Sequence, residues 1–277
     1  MSMASEVPQT AEGFAEANRT HFDAIAHKYD DSPHAIVRSR RTAAKIREFY
    51  PFDEETTTIM EYACGTGLVS RELAPYVRRI VGVDISQGMV DQFNLRVNNQ
   101  GIQKEEMEAF CAELKGEPGE LRDEKFDVVV CASAYHHFKD ISDVTRILAY
   151  FLKPGGALLV VDLATPEEDQ AHPCQGQEYT HGNEHMHEHT HGNSHNPDQG
   201  HEHGHGHMHG PLDDHTPGSM FPESVHHIVP HRGGLSEQDM RQAFERAGLV
   251  DFRYDRGIVA QEDRRLFIAK GVKRGGV

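Results

Sequence analysis

Cysteine is scarce in this chain and its spacing is unpaired: Cys64, Cys111, Cys131 and Cys174 include no Cys-x-x-Cys. That argues against a disulfide framework and against a cysteine-based zinc site. No apolar run approaches the roughly 20 residues that span a bilayer. The opening stretch MSMASEVPQTAEGF has no basic segment followed by an apolar one, so no secretory signal is expected. Basic residues are also short: 28 Lys and Arg stand against 44 Asp and Glu, a formal charge of −16. Nucleic acid and anionic membrane both demand a basic face, so neither is an expected partner. The balance points to a soluble cytoplasmic protein, a nuclear one being left open, that acts on a small molecule or a protein.

What the chain has is alternation. The first 13 residues read as a disordered tail, and helical spacing runs from Phe14 to about Tyr50, broken at Pro33. Residues 57–63 are β-branched and apolar and read as a strand; LVSRELAPYV (68–77) is helical. RIVGVDIS (79–86) and GMVDQFNLRVNNQ (88–100) repeat the pair, and EEMEAFCAEL (105–114) contains a third strand. KFDVVVCASA (125–134) and ALLVVDLA (157–164) are nearly all apolar, as strands buried on both faces are. Between them VTRILAYFL (144–152) is helical and ends at Lys153-Pro154-Gly155-Gly156. Five alternations imply right-handed crossovers and a doubly wound α/β sheet.

The pattern stops at residue 165. Residues 165–234 hold 16 of the 21 histidines and few large apolar side chains, and read as a flexible insertion. Order resumes at LSEQDMRQAFERAGL (235–249), with Ser236 as N-cap and Gly248 as stop, followed by two strand-like segments. The domain therefore comprises 14–164 and 235–277.

The chemistry centres on EYACGTG (61–67), where a strand ends on an acid and enters a glycine turn before a helix. Gly65 and Gly67 let the backbone bend and approach a ligand. Asp84 ends the next strand, placed to accept from a ribose hydroxyl pair. A dinucleotide reading takes Gly65–Ser70 as GxGxxG, but Glu61 would set negative charge near the phosphates. A cofactor with a cationic amino group suits that acid. No Gly-Lys-Ser/Thr follows, which excludes a P-loop.

At these residues the chain resembles the class I S-adenosylmethionine-dependent methyltransferases of small-molecule type. EYACGTG is similar to their first motif, with Ala63 where the first glycine usually stands, and VDIS to the second. FDVVVCASAYHHF (126–138), LKPGGALLVVDL (152–163), FDAIAHKYD (22–30) and RRLFIAKG look like further family segments in the family's order. The resemblance implies a Rossmann-like seven-stranded sheet, mostly parallel with an antiparallel last strand and helices on both faces. It implies that Glu61 and the backbone at Gly65 and Gly67 hold the methionine part, that Asp84 accepts from the ribose, that Ile85 and Glu113 flank the adenine, and that Ala63, Cys64, Thr66 and Met89 also belong to the cofactor site. It implies further that Cys131, Ala132 and Ser133 face the amino group and that Tyr29 covers the site. Tyr135, His136 and His137 fall on the acceptor side, as candidate catalytic groups. The third-strand segment carries Cys111 before Ala112 where the family often has an acid.

The insertion carries His185, His187, His189, His201, His203, His205, His207 and His209 at alternate positions. Imidazoles this dense bind Zn or Ni adventitiously, whereas a catalytic metal needs a few fixed ligands with supporting contacts. No metal is required, and the insertion offers a surface for a protein partner. Two alternatives remain open: a metal- or partner-binding protein on a degenerate methyltransferase scaffold, and an NAD-dependent oxidoreductase.

Overall fold

Seven strands and six α-helices frame the described residues, 7–166, 219–261 and 264–276 of the computed structural model. In chain order they are α1 (Ala11–Ile25), α2 (Pro33–Phe49), β1 (Thr58–Tyr62), α3 (Leu68–Leu73), β2 (Arg79–Asp84), α4 (Gln87–Asn99) and β3 (Met107–Cys111). There follow β4 (Phe126–Ala132), α5 (Ile141–Tyr150), β5 (Leu152–Leu163), α6 (Glu237–Arg246), β6 (Leu249–Gln261) and β7 (Arg264–Lys273). The sheet order is β3-β2-β1-β4-β5-β7-β6. β1 to β5 pair in parallel, and β7 runs antiparallel to both of its neighbours, β5 and β6.

The strands read as continuous apolar runs are buried on both faces. Val128, Val129, Val130, Leu158, Leu159, Val160 and Val161 are fully buried. One cluster joins Met60, Val129 and Leu158 to Leu148 and Phe244 on the α5 and α6 side. The other joins Ile59, Val128 and Leu159 to Ile46, Leu73 and Phe93 on the side of α2, α3 and α4. The capping expected at α6 is present: Ser236 accepts from Asp239 N–H, and the Asp239 carboxylate accepts back from Ser236. The strand order reverses between β1 and β4, so the carboxyl ends of β1, β2 and β4 open a crevice there.

Three boundaries differ from expectation. The tail expected through residue 13 gives way to α1 at Ala11, because the Thr10 hydroxyl accepts from Gly13 N–H at 3.1 Å and starts the helix. β5 takes in the Lys153–Gly156 turn, with a register shift opposite Phe126–Val128 and Gly155 at φ 81°. A flexible insertion is expected over 165–234, but residues 219–234 are folded against the domain. There Ile228 and Val229 are buried, and Ala164 bridges to Leu235. The histidines from His185 to His209 fall outside the described residues.

Candidate active site

The crevice is a cavity of about 500 Å³, within the range of small-molecule sites. Its floor is built by backbone that a side chain resists. Beyond β1 the chain passes through Ala63 (φ 53°), Gly65 (φ 53°) and Gly67 (φ 82°), all left-handed. A Cβ on Gly67 would lie 2.6 Å from the Phe93 ring, so that position needs glycine for space as well as for conformation. A Cβ on Gly65 would meet nothing within 4 Å; the room above it belongs to the cavity. Beyond β4, Ser133 is again left-handed at φ 56°, and its N–H donates to Val161 O at 2.7 Å. Two non-glycine residues in sparse backbone conformations thus face one cavity from neighbouring strands.

Asp84 ties the two strand ends together. Its carboxylate accepts from Gly65 N–H at 2.8 Å and from Ser86 N–H at 2.9 Å. Burial pushes its carboxyl up, against the pull of these N–H groups. The Ile85 N–H acts on it as well; a carboxylate has about four lone-pair directions, so at least one remains for a ligand. Glu61 is 3% exposed and accepts from the Ser70 hydroxyl. Burial pushes it up to about 7, the Ser70 hydrogen bonds opposing and the nearby Asp84 adding. A cation placed beside it would bring it back to carboxylate.

The N-terminal helices close the crevice. Asp23 on α1 accepts from Ser86 Oγ at 2.6 Å and Gly88 N–H at 2.9 Å, at the start of α4. Arg19 reaches Glu113 at 3.1 Å. Thr66 donates to Asp30, which also pairs with Arg71 and Arg96. Tyr29 stands beside Arg38, its phenol pushed up by burial.

Of the residues named from sequence, Tyr29, Glu61, Ala63, Cys64, Gly65 and Thr66 line the cavity. So do Asp84, Ile85, Met89, Glu113, Ala132 and Ser133. Gly67 shapes the turn from behind, and Cys131 is fully buried in the sheet core. Sequence reasoning missed Asn18, Phe22, Arg38 and Phe138, which also line it.

Residues 60–160 match a family described as a methyltransferase domain. A fission yeast (Schizosaccharomyces pombe) methyltransferase, itself uncharacterized, is 33% identical over 204 residues, covering 61% of this chain and 68% of that protein. The chain belongs to the class I S-adenosylmethionine-dependent methyltransferases. A demethylmenaquinone methyltransferase of Bacteroides fragilis is 32% identical over 156 residues, covering 53% of this chain and 60% of that one. The fold matches that of a Synechocystis magnesium protoporphyrin IX methyltransferase solved with bound S-adenosylhomocysteine: TM-score 0.56, 13% identity, 94% of this chain and 99% of that one.

In this methyltransferase the three acceptor-side candidates part company. Tyr135 is fully buried, its hydroxyl bonded to Thr145 at 3.1 Å; it is a core residue and not part of the cavity wall. His136 also lies behind the wall. Its Nδ1 meets the buried Asp162 carboxylate at 2.7 Å, and its ring stacks on Phe221 at 5.1 Å. Burial alone would raise Asp162, but His136 and the N–H groups of His136 and Leu163 hold it below the usual carboxylate range. Only His137 reaches the cavity, with Nδ1 2.8 Å from the Ile228 carbonyl. Burial, then the adjacent His136, pulls its imidazole down to about 3. No group of three or more metal-ligating side chains occurs among the described residues, and none of their helices is long and apolar enough to cross a membrane.

Proposed function

We propose that this methyltransferase modifies a small-molecule acceptor, with Asp84 and the Ala63–Gly67 turn holding the nucleoside and methionine parts of the cofactor and His137 facing the acceptor. The residues fit that cofactor: open space over Gly65, an acid with a spare lone pair at the second strand end, and a buried acid suited to a cationic amino group. When bound, S-adenosylmethionine supplies an electrophilic methyl on a sulfonium. Glu61 would balance the amino group and Asp84 would accept from the ribose hydroxyls. α1 would keep water out, and the cavity walls would align the acceptor, which is where most of the acceleration of such a displacement arises. A small acceptor suits a cavity roofed by α1.

The observation that carries this reading is the Asp84 carboxylate bridging the β1 turn and the β2 end while a remaining lone pair stays available. Isothermal titration tests it. The wild type should bind S-adenosylhomocysteine, and Asp84→Asn should weaken that binding about 10- to 100-fold, the value of hydrogen bonds to a charged group. Wild-type protein that takes up no S-adenosylhomocysteine would refute these assignments.

A further inference from the structure

One polar residue stands inside an apolar stripe. Along α1, Phe14, Asn18 and Phe22 recur at four-residue spacing, and Asn18 is 5% exposed. Its amide donates to Phe14 O at 2.8 Å and to Ile228 O at 3.1 Å. Those two carbonyls can only accept, so they fix the amide with nitrogen towards them and Oδ1 away. Oδ1 has no hydrogen-bond partner among the described residues, although Asn18 lines the cavity. A buried acceptor left unpaired costs about 1–3 kcal/mol, a cost that a donor on a bound ligand would remove.

The same Ile228 carbonyl also meets His137 Nδ1. Because the carbonyl accepts, Nδ1 carries the hydrogen and Nε2 carries the lone pair. One backbone oxygen, in the segment that packs back on the domain after the insertion, therefore orients two side chains of the cavity wall as acceptors. Phe22 and Phe138 line the same region and supply flat apolar contact.

We propose that the acceptor end of the cavity selects a hydrogen-bond-donating nucleophile, a hydroxyl or an amine on a flat apolar body, through His137 Nε2 and Asn18 Oδ1, both held in acceptor orientation by the Ile228 carbonyl. A carbon nucleophile or a thiolate offers no such donor and is disfavoured. Asn18 and His137 determine specificity, and Ile228 positions them. This inference rests on the methyltransferase reading of the site.

The test uses the full chain loaded with S-adenosylhomocysteine and three probes of one shape: phenol, aniline and anisole. Phenol and aniline each present a donor; anisole is phenol with that hydrogen replaced by methyl. By titration at least one donor probe should bind about three- to tenfold more tightly than anisole, the net value of a hydrogen bond. A preference for phenol over aniline marks the hydroxyl as the group read, and the reverse marks the amine. His137→Asn keeps a donor for the Ile228 carbonyl but loses Nε2, and should erode that ratio; Asn18→Leu, of similar volume, should erode it by a separate route. Equal affinity for the three probes in the wild type, or binding of none, overturns the proposal. Failure to load S-adenosylhomocysteine at all overturns the cofactor assignment, and this inference with it.

Discussion

At the scale of single residues, the site is marked by backbone that most side chains avoid. Ala63 at φ 53° lines the cavity where the family's glycine usually stands. Left-handed backbone costs an L-residue about 1–2 kcal/mol, partly offset by the chain entropy that glycine loses on folding. Ala63→Gly should therefore raise stability by about 0.5–1 kcal/mol, seen as a higher Tm, without weakening S-adenosylhomocysteine binding. A lower Tm would show that the Ala63 methyl is held by packing worth more than the strain. Gly67→Ala meets both a φ of 82° and the Phe93 ring at 2.6 Å. It should lower stability by more than 2 kcal/mol, about the upper cost of the left-handed conformation alone. Most cavity residues were legible because a turn motif and a strand-end acid have fixed places relative to a sheet. Tyr135 was not, because an aromatic after a strand end looks the same whether it faces a cavity or the core. The Thr145 hydroxyl that draws it inward lies ten residues on.

At the scale of elements, the five strand–helix alternations were legible because burial on both faces leaves uninterrupted apolar runs. The folded segment 219–234 was not legible. Its few anchors, Phe221, Ile228 and Val229, sit among His, Pro and Gly residues, with no period that a helix or strand would impose. Its packing is specific: Phe221 stacks on His136, and Ile228 accepts from Asn18 and pairs with His137. The roof element, α1, is pinned at its far end by Asp23 against Ser86 and Gly88. Asp23→Ala removes both bonds while leaving the sheet core untouched. It should weaken S-adenosylhomocysteine binding about 5- to 30-fold, the value of one or two lost hydrogen bonds. Proteolysis should then cut α1 earlier than in the wild type. Unchanged affinity with faster cleavage would make α1 a cover for the acceptor alone.

At the scale of the whole molecule, two buried groups of the cavity make stability respond to pH in opposite directions. Glu61 in the folded chain titrates near 7, against 4.5 for the free group, because burial disfavours its charge. Its contribution is intact below 4.5 and is lost as pH rises from there through 7, about 3 kcal/mol in all. His137 titrates near 3, against 6.5, because burial and the adjacent His136 disfavour its charge, with Asp162 and the Ile228 carbonyl opposing. Its contribution is full above 6.5 and is lost as pH falls towards 3. Between 4.5 and 6.5 the two slopes are equal and opposed, so their sum is flat. Glu61→Gln removes one of them. Thermal denaturation of the variant without cofactor should show Tm rising with pH up to about 6.5, over a range where these two groups leave the wild type level. A variant profile with the same slope as the wild type's would mean that Glu61 does not hold its proton in the folded protein. Cofactor binding adds an independent reading of the same group. If a cationic amino group settles beside Glu61, binding must expel that proton. S-adenosylhomocysteine affinity should then climb up to about tenfold per pH unit below 7 and level off above it. Glu61→Gln should bind more weakly with no such climb. A wild-type affinity that is constant from pH 5 to pH 8 would place the amino group elsewhere in the cavity.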